Sequence, residues 1–304
     1  NMIKLELAYN DIVDDDFYTK ELPSLISDKF KVNLYGQRHE VKMAKEKFGD
    51  MFTYTIVNNL PITKYDEIQE ELDFDLEFKP EKIVVYSYLL GSTLIYYGVP
   101  NVYASVLSSV REIVSVNELL KNGYSGFVIP HDKVFDIKFQ NESKKLGAKL
   151  IALTTMGCPP CIAFSEKHHN MYMVSNPEMG KMCYSCPTRK NDFNPIRLNI
   201  VPPSYMLRDE FSHIDEFKFS GRFIKYPQFV DVYKNLLRSF LTFDDEKFTY
   251  LMFKHFIYHD KINDEINNRL EKYVDYYLSN KKLCSYHCWE CHENCDDKFK
   301  QIVF

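Results

Sequence analysis

The sequence lacks the features of a membrane protein and of a nucleic-acid-binding protein. No run of about 18 apolar residues occurs, and the N-terminus lacks the basic-then-apolar pattern of a signal peptide. The 38 Lys and Arg are scattered among 43 Asp and Glu, which leaves a net charge of -5 and no basic stripe. We therefore expect a cytoplasmic protein with no membrane and no DNA partner.

Several catalytic and cofactor motifs are also absent. Neither HExxH nor GxSxG occurs, so the chain displays no metalloprotease or serine hydrolase signature. No Gly-rich phosphate loop follows the first predicted strand, which counts against a doubly wound, dinucleotide-binding sheet. No cysteine precedes Cys158, and all eight cysteines fall into two groups after it.

The first half of the chain alternates short β-rich segments with helical or polar stretches such as Val110–Asn122 and Val134–Leu146. Sequential parallel strands joined by helices close into a barrel, so we predict a TIM-like (β/α)8 barrel of the α/β class. The second and fourth strands have the weakest pattern, because Ile83–Tyr97 is continuously apolar and a helix could occupy part of it. The strands are predicted at Ile3–Ala8, Lys31–Tyr35, Phe52–Val57, Ile83–Ser87, Val102–Val106, Gly126–Ile129, Leu150–Thr154 and Glu216–Ser220.

The rest of the chain adds an insertion and a helical tail. The barrel is predicted over residues 1–226, with a metal-binding insertion at 157–200 before the last strand. Residues 227–304 are predicted to form a helical C-terminal extension that ends in a four-cysteine site. Its helices are expected at Gln228–Leu241, Glu246–Tyr258 and Ile262–Ser279, where apolar residues recur every three or four positions.

The first cysteine group consists of two CxxC pairs, Cys158/Cys161 and Cys183/Cys186. Each pair presents two thiolates from one tight turn, and four thiolates suit an iron–sulfur cluster or Zn²⁺. The group starts directly after the seventh strand, at the end of a barrel where active sites are built. This position favours a catalytic cluster over a structural zinc ribbon, which remains the alternative.

The second group comprises Cys284, Cys288, Cys291 and Cys295. Four cysteines so close together can surround one cluster, and we favour iron–sulfur over zinc here too. The first three have the CxxxCxxC spacing of radical S-adenosylmethionine enzymes. That family carries its motif after the first strand, usually with an aromatic residue where this chain has Glu290. Cys295 would moreover fill the iron site that those enzymes leave open.

A third set of residues shows a family resemblance. The set comprises Ser105, Gly123 with Phe127–Pro130, Gly157-Cys158, Ile200–Pro203 and, most specifically, the run Ile214–Arg222. These residues resemble the strand and turn motifs of the collagenase-like peptidase family U-thirty-two, and the resemblance covers Asn101 to Arg222.

The resemblance implies a barrel with a 4Fe-4S cluster held by Cys158 and its neighbours. Much of that family looks like iron–sulfur proteins of oxygen-independent hydroxylation, and other members are described as peptidases. The hydroxylation proteins take a fourth cysteine from the segment before the last strand. This chain has Tyr205-Met206-Leu207 there, so the second CxxC pair would have to close the cluster.

Four further residues are candidates for contact with a substrate: Lys218, Arg222, His168 and His169. Lys218 and Arg222 sit on and just beyond the eighth strand, where a cation could bind a carboxylate, although Arg222 could instead pair with a core acid such as Glu6. His168 and His169 lie between the CxxC pairs. Glu6, Asn58, Ser105 and His131 are expected at strand ends, pointing into the barrel mouth.

The leading hypothesis is an iron–sulfur enzyme with one or two 4Fe-4S clusters that modifies a small molecule or peptide, by oxygen-independent hydroxylation or related redox chemistry. A redox partner protein could supply electrons. The alternatives are a radical S-adenosylmethionine-type enzyme, a non-catalytic binding or electron-relay protein stabilised by metal, and a peptidase. The substrate and the oligomeric state are not encoded in any motif.

Overall fold

A computed structural model describes residues 2–26, 28–58, 65–154, 200–219, 230–256 and 264–280. All eight strands are parallel and pair in chain order, and β8 pairs with β1 to close a barrel. The predicted (β/α)8 barrel is thereby confirmed, including its second and fourth strands. The strands are β1 (Ile3–Ala8), β2 (Phe30–Gly36), β3 (Thr53–Asn58), β4 (Lys82–Val85), β5 (Val102–Ala104), β6 (Gly126–Val128), β7 (Lys149–Leu153) and β8 (Glu216–Phe219).

Helices surround the strands and cover their outer faces. Successive strand residues point to opposite faces, so Leu5 and Leu7 of β1 face the helices while Glu6 and Ala8 face the barrel interior. The helices are α1 (Leu22–Leu25), α2 (Arg38–Phe48), α3 (Tyr65–Phe78), α4 (Tyr88–Tyr96), α5 (Ile113–Lys121), α6 (Ile137–Lys145), α7 (Val230–Leu241), α8 (Asp245–Phe256) and α9 (Asp264–Asn280). Each helix in the described part of the chain is too short or too polar to cross a bilayer.

Serine caps explain why two strands are shorter than predicted. Ser87 has an extended backbone and its Oγ accepts a hydrogen bond from Leu90 N at 3.3 Å, which begins α4. Ser105 likewise accepts from Leu107 N at 3.4 Å and begins a 3₁₀ turn. The fourth and fifth strands therefore end before these serines, and the apolar stretch Ile83–Tyr97 divides into β4 and α4.

The three C-terminal helices lie on the β8 side of the barrel, with α7 and α8 packed against β8 and α9 packed against α8. The hydroxyl of Tyr233 on α7 donates to Ala8 O of β1 at 2.9 Å, and Phe240 lies 5.3 Å, centroid to centroid, from Phe219 of β8. Phe253 of α8 packs edge-on against Tyr277 of α9 at 5.1 Å. The predicted domain boundary between residues 226 and 227 lies outside the described residues, as does most of the predicted insertion.

A close approach of two strands generates a stability prediction. A Cβ added to Gly126 of β6 would stand 2.0 Å from the carbonyl oxygen of Lys149 on β7, so the strands would have to separate. We expect Gly126→Ala to lower the free energy of unfolding by about 1–3 kcal/mol, measured by urea unfolding followed by circular dichroism. The neighbouring Ser125→Ala serves as the control. Equal stability of Gly126→Ala and wild type would contradict the prediction.

Candidate functional site

The C-terminal ends of all eight strands meet at one end of the barrel, the mouth, because the strands are parallel. This is the end at which barrel enzymes carry their active sites. Asn58, Ser105, His131 and Thr154 lie at or just beyond the ends of β3, β5, β6 and β7, and all four are buried. The first three were expected here from the sequence.

His131 is the most unusual residue of the mouth. Its side chain is buried, and neither ring nitrogen has a hydrogen-bond partner in the described part of the chain. Burial, together with the positive charge of Arg111, lowers the pKa of His131 to about 3. The imidazole is therefore neutral near pH 7, and it has one N–H and one lone pair available.

Asn58 and Ser105 both have structural partners. The side chain of Asn58 hydrogen-bonds to the carboxylate of Glu71 on α3, which also pairs with Arg38 Nε at 2.8 Å. Burial raises the pKa of Glu71, while Arg38 and Asn58 oppose that rise. Ser105 Oγ caps the turn after β5. These two residues hold the rim in shape, whereas the ring nitrogens of His131 have no partner among the described residues.

The rim between β7 and β8 holds both ends of the segment that carries the first cysteine group. Thr154 N donates to Lys218 O at 3.0 Å, which continues the β7–β8 pairing by one residue. Val201 N in turn donates to Thr154 O at 3.0 Å. Thr154 and Val201, the described residues on either side of residues 155–199, therefore meet at one point of the mouth.

The last described helix reaches the same point. Tyr277, near the end of α9, is buried, and its hydroxyl donates to Ile200 O at 3.5 Å. Ser204 N donates to Asp245 Oδ1 at 2.8 Å. This hydrogen bond links the chain that follows residues 155–199 to the first residue of α8. The helix that precedes the second cysteine group in sequence thus contacts Ile200, the first described residue after residues 155–199.

The barrel interior contains a network of four buried charges on three strands. Glu6 of β1 lies 3.0 Å from Lys82 Nζ of β4 and 3.5 Å from Lys218 Nζ of β8. Lys82 also forms an ion pair with Glu216 of β8. Thr55 Oγ1 of β3 donates to Glu6 Oε1 at 2.9 Å. Each charge is therefore matched by an opposite one from another strand.

Electrostatic attraction decides the protonation state of Glu6. Burial, the largest single influence, raises its pKa, but the charges of Lys82 and Lys218 and the hydrogen bonds from Lys82 and Thr55 together outweigh it. The pKa of Glu6 is therefore below its ordinary value and the carboxylate stays ionised at neutral pH. The network holds these charges in place by pairing each of them with an opposite charge.

Glu6 was expected in the mouth, but it lies deeper in the barrel, two residues before the end of β1. On β1, β3 and β4 the inward polar residues Glu6, Thr55 and Lys82 each precede an inward apolar residue, namely Ala8, Val57 and Val84, which is nearer the mouth. On these three strands an apolar side chain therefore lies between the polar residue and the mouth. On the opposite side, Lys82 and Glu216 line a cavity of about 160 Å³ at the N-terminal end of the barrel.

Lys218 is the one predicted substrate-contact residue in the described part of the chain. Its Nζ stacks over the ring of Tyr35 at 3.8 Å, beside Glu6, and the side chain is buried. The Tyr35 hydroxyl donates to Phe219 O at 3.1 Å, which closes this corner of the interior. A role for Lys218 as an anion anchor stays a prediction.

The other predicted site residues lie outside the described residues. They are His168, His169, Arg222 and the eight cysteines Cys158, Cys161, Cys183, Cys186, Cys284, Cys288, Cys291 and Cys295. Within the described ranges, no group of three or more His, Cys, Asp or Glu side chains could hold a metal ion.

Three members of the interior network were not among the residues predicted from the sequence, namely Lys82, Thr55 and Asn33. Asn33 Nδ2 donates to Thr55 Oγ1 at 2.7 Å and so extends the network to β2. A signal was present, because a polar residue at an inward position of an apolar strand needs a partner inside the barrel. Which strands supply that partner depends on the register of the closed barrel.

The second prediction concerns Lys82, the cation that Glu6 and Glu216 share. Replacing Lys82 by Met leaves two buried carboxylates, Glu6 and Glu216, without their common partner, so the free energy of unfolding should fall by about 3–5 kcal/mol. Lys218→Met should cost less, because Glu6 retains Lys82. The exposed Lys20→Met, which removes a surface ion pair with Asp16, serves as the control. Urea denaturation measures all three, and a Lys82→Met variant as stable as Lys20→Met would refute the role of the network.

The third prediction concerns the acid sensitivity that His131 confers. In the unfolded chain the imidazole gains a proton near its ordinary pKa of 6.5, whereas the folded protein gains it only near pH 3. Stability from this group is therefore present above pH 6.5 and is lost by about 1.4 kcal/mol per pH unit as the pH falls through that window.

His131→Phe should remove this contribution, so the difference in unfolding free energy between variant and wild type should change with pH from 6.5 down to 4. The exposed His39→Gln on α2 controls for the loss of one imidazole. Unfolding curves at several pH values measure the effect. Parallel pH profiles for wild type and His131→Phe would contradict a buried neutral imidazole.

Comparison with known proteins gives a likeness in structure only. No family model and no curated protein matches the sequence. Among solved structures, the U32 peptidase Mk0906 is similar, with a TM-score of 0.50 and 10% sequence identity over 73% of this chain and 93% of that chain. At this identity the likeness concerns the fold: this chain shares the barrel fold of a U32 peptidase.

Proposed function

We propose that this chain is an iron–sulfur protein that acts on a small molecule or peptide at the barrel mouth. The observation that carries the proposal is the hydrogen bond from Val201 N to Thr154 O, which ties both ends of the first cysteine-bearing segment to the rim. A segment anchored in this way has its cysteines attached to the end of the barrel at which barrel enzymes work.

Chain length limits how far the first cysteines can be from the mouth. Cys158 follows Thr154 by four residues, and each residue spans at most about 3.6 Å, so their Cα atoms are at most about 14 Å apart. The same limit applies to Cys284 and Asn280, the last residue of α9. Both cysteine groups thus start close to described residues that meet at Ile200.

The donor set fits an iron–sulfur cluster. Each group supplies four thiolates, the ligand type that 4Fe-4S clusters prefer and that Zn²⁺ also accepts. We propose that Cys158, Cys161, Cys183 and Cys186 hold one cluster and that the four later cysteines hold a second. When bound, such clusters supply one-electron transfer. Because His131 lies at the rim, its imidazole could donate a hydrogen bond to a molecule in the mouth or accept one from it.

The described residues support a barrel that holds its shape while loops supply the chemistry. The interior charges are paired with one another, and on β1 and β4 an inward apolar residue lies between the charge and the mouth. Reactive groups must then come from the rim and from the segments attached to it. This arrangement supports redox chemistry at loop-borne clusters, of which oxygen-independent hydroxylation is the form that the family resemblance implies.

Peptide hydrolysis is the second candidate, because the structurally similar protein is described as a U32 peptidase. Ser105 and His131 are the rim residues that such a reaction could use, but Ser105 Oγ already caps the turn after β5. A non-catalytic electron-relay protein is the third candidate, since the same clusters would serve it.

Metal analysis after anaerobic purification is the fourth prediction. We expect a brown protein with iron and acid-labile sulfide, about four of each for every cluster. Cys158→Ala should lose the iron of the first group, and Cys291→Ala that of the second. The matched controls are Ser185→Ala and Ser285→Ala, which alter non-ligand positions within each group and should keep the full iron content.

The same preparations separate the alternatives. A colourless protein with stoichiometric zinc would overturn the iron–sulfur proposal. Cleavage of a gelatin-derived peptide that is equal in wild type and Cys158→Ala would favour the peptidase and remove the first cluster from the reaction.

A further inference from the structure

One segment of the sequence contains no charged residue, and part of it lies on the outer surface of the barrel. From Ile83 to Val110 no Asp, Glu, Lys, Arg or His occurs, although charged residues make up 27% of the protein. This stretch includes the whole of α4, a helix on the outside of the barrel. A surface helix ordinarily carries charged residues on its outer face, so α4 is unusual in this protein.

The outer face of α4 is aromatic and apolar instead. Tyr96 is 84% exposed, Tyr88 58% and Leu89 53%. Tyr96 lies eight positions after Tyr88 and seven after Leu89, which places it on the same side of the helix, two turns away. Ser92 and Thr93 lie between them and are small. We call these five residues the α4 face. It has a large side chain at each end and a shallow, uncharged centre.

A groove adjoins one end of the α4 face. Helices α4 and α5 are neighbours around the barrel, and between them lies a groove of about 660 Å³. On the α4 side it is lined by Tyr86–Tyr88, and on the α5 side by residues that include Val114, Glu118 and Leu119. Tyr124 forms part of the wall, stacked on Tyr88 with ring centroids 6.2 Å apart.

The wall of the groove is held rigidly. Gly91 allows the close packing of Tyr124 against α4, because a Cβ at that position would stand 2.0 Å from the Tyr124 hydroxyl oxygen. Tyr124 is itself buried. The groove is therefore a preformed feature of the surface, beside the N-terminal end of α4, whereas Tyr96 projects from the opposite end.

The exposed area is of the size that an interface requires. A tyrosine side chain offers roughly 200 Å², so the exposed parts of Tyr88, Tyr96 and the adjacent Tyr97 together present roughly 400 Å². A stable interface buries about 800 Å² on each partner. Three tyrosines thus supply about half of one partner's share, before Leu89 and Val114 are added. Interface centres are depleted in charge and enriched in tyrosine, as this surface is.

We propose that the α4 face is the dimer interface of this protein, with a second copy of the chain as its partner. A two-fold axis through the centre of the face, near Ser92 and Thr93, would run the two α4 helices antiparallel. Eight residues of helix span about 12 Å, so Tyr96 of one copy would then lie beside Tyr88 and the groove of the other. The projecting side chain and its receptor occur on the same helix, which makes the surface self-complementary.

The absence of charge favours a second copy over a different protein. The chain has a net charge of -5, so most pairings of its surface with itself would oppose like charges. The α4 face itself brings no charge into the contact, and Glu118, the one charged residue among the described residues that line the groove, would face the uncharged Tyr96. A charged partner would instead lose hydration against tyrosine and leucine without a counter-charge in return.

Sedimentation velocity from about 1 to 100 μM, on the metal-loaded protein, is the test and the fifth prediction. Wild type should sediment as a dimer of twice 36.0 kDa. Tyr96→Glu and Leu89→Lys should each weaken dimerisation at least 30-fold, as expected for central interface residues. Leu207→Lys, which charges an exposed leucine elsewhere, is the matched control and should remain dimeric.

Circular dichroism should show that both variants remain folded, because the substituted side chains are largely exposed. A photo-crosslinking amino acid at position 96 should join two chains, and mass spectrometry should map the link to residues 86–124 of the second copy. A monomeric wild type at 100 μM, a dimer that Tyr96→Glu leaves intact, or a crosslink to another region would each overturn the proposal. Dimerisation is independent of iron content, so a zinc-bound protein would leave this inference standing.

Discussion

The barrel depends on one buried carboxylate. Glu6 lies on β1 and contacts Lys82 of β4, Lys218 of β8 and Thr55 of β3, so a single side chain connects strands on opposite sides of the interior. Buried ion pairs contribute little net stability compared with apolar packing, but removing one partner is costly because an unmatched charge remains. The network therefore acts mainly on register: a strand shifted by one residue would turn its charge toward the outer helices.

That network also explains where chemistry can occur in this barrel. Glu6 and Lys82 lie one layer farther from the mouth than Ala8 and Val84, the inward apolar residues that follow them on β1 and β4. A substrate entering at the mouth meets apolar side chains and the rim, where His131 is buried and neutral. In the proposed function the interior provides shape and a low dielectric constant, and the segments attached to the rim supply the reactive groups.

The junction at Ile200 relates the C-terminal helices to the mouth. Thr154, Val201 and Tyr277 meet there through main-chain and side-chain hydrogen bonds. Helices α8 and α9 cover the chain that follows the first cysteine-bearing segment, and α9 leads to the second cysteine group. One contact region therefore precedes both groups, which is why a single functional centre near the mouth is a better proposal than two unrelated metal sites.

Local pattern was sufficient for the architecture of this protein. Alternation of apolar segments and helical periodicity predicted all eight strands and the three C-terminal helices, because burial of alternate residues leaves its period in the sequence. Errors were confined to element ends such as Val85 and Ala104, where a serine side chain takes over the hydrogen bonding of the backbone. The serines were visible in the sequence, but their capping geometry depends on the local backbone.

In the candidate site, too, some features follow from the sequence and others only from the tertiary structure. The spacing of the cysteines is a property of the sequence and by itself determined the prediction of two four-thiolate metal sites. Position along a strand also placed Asn58, Ser105 and His131 near the mouth. Only the tertiary structure decided that Glu6 lies one layer below it, that Lys82 and Lys218 share Glu6, and that α9 meets the chain at Ile200. Those contacts join residues many positions apart, and they exist only once barrel closure sets the register of each strand against all the others.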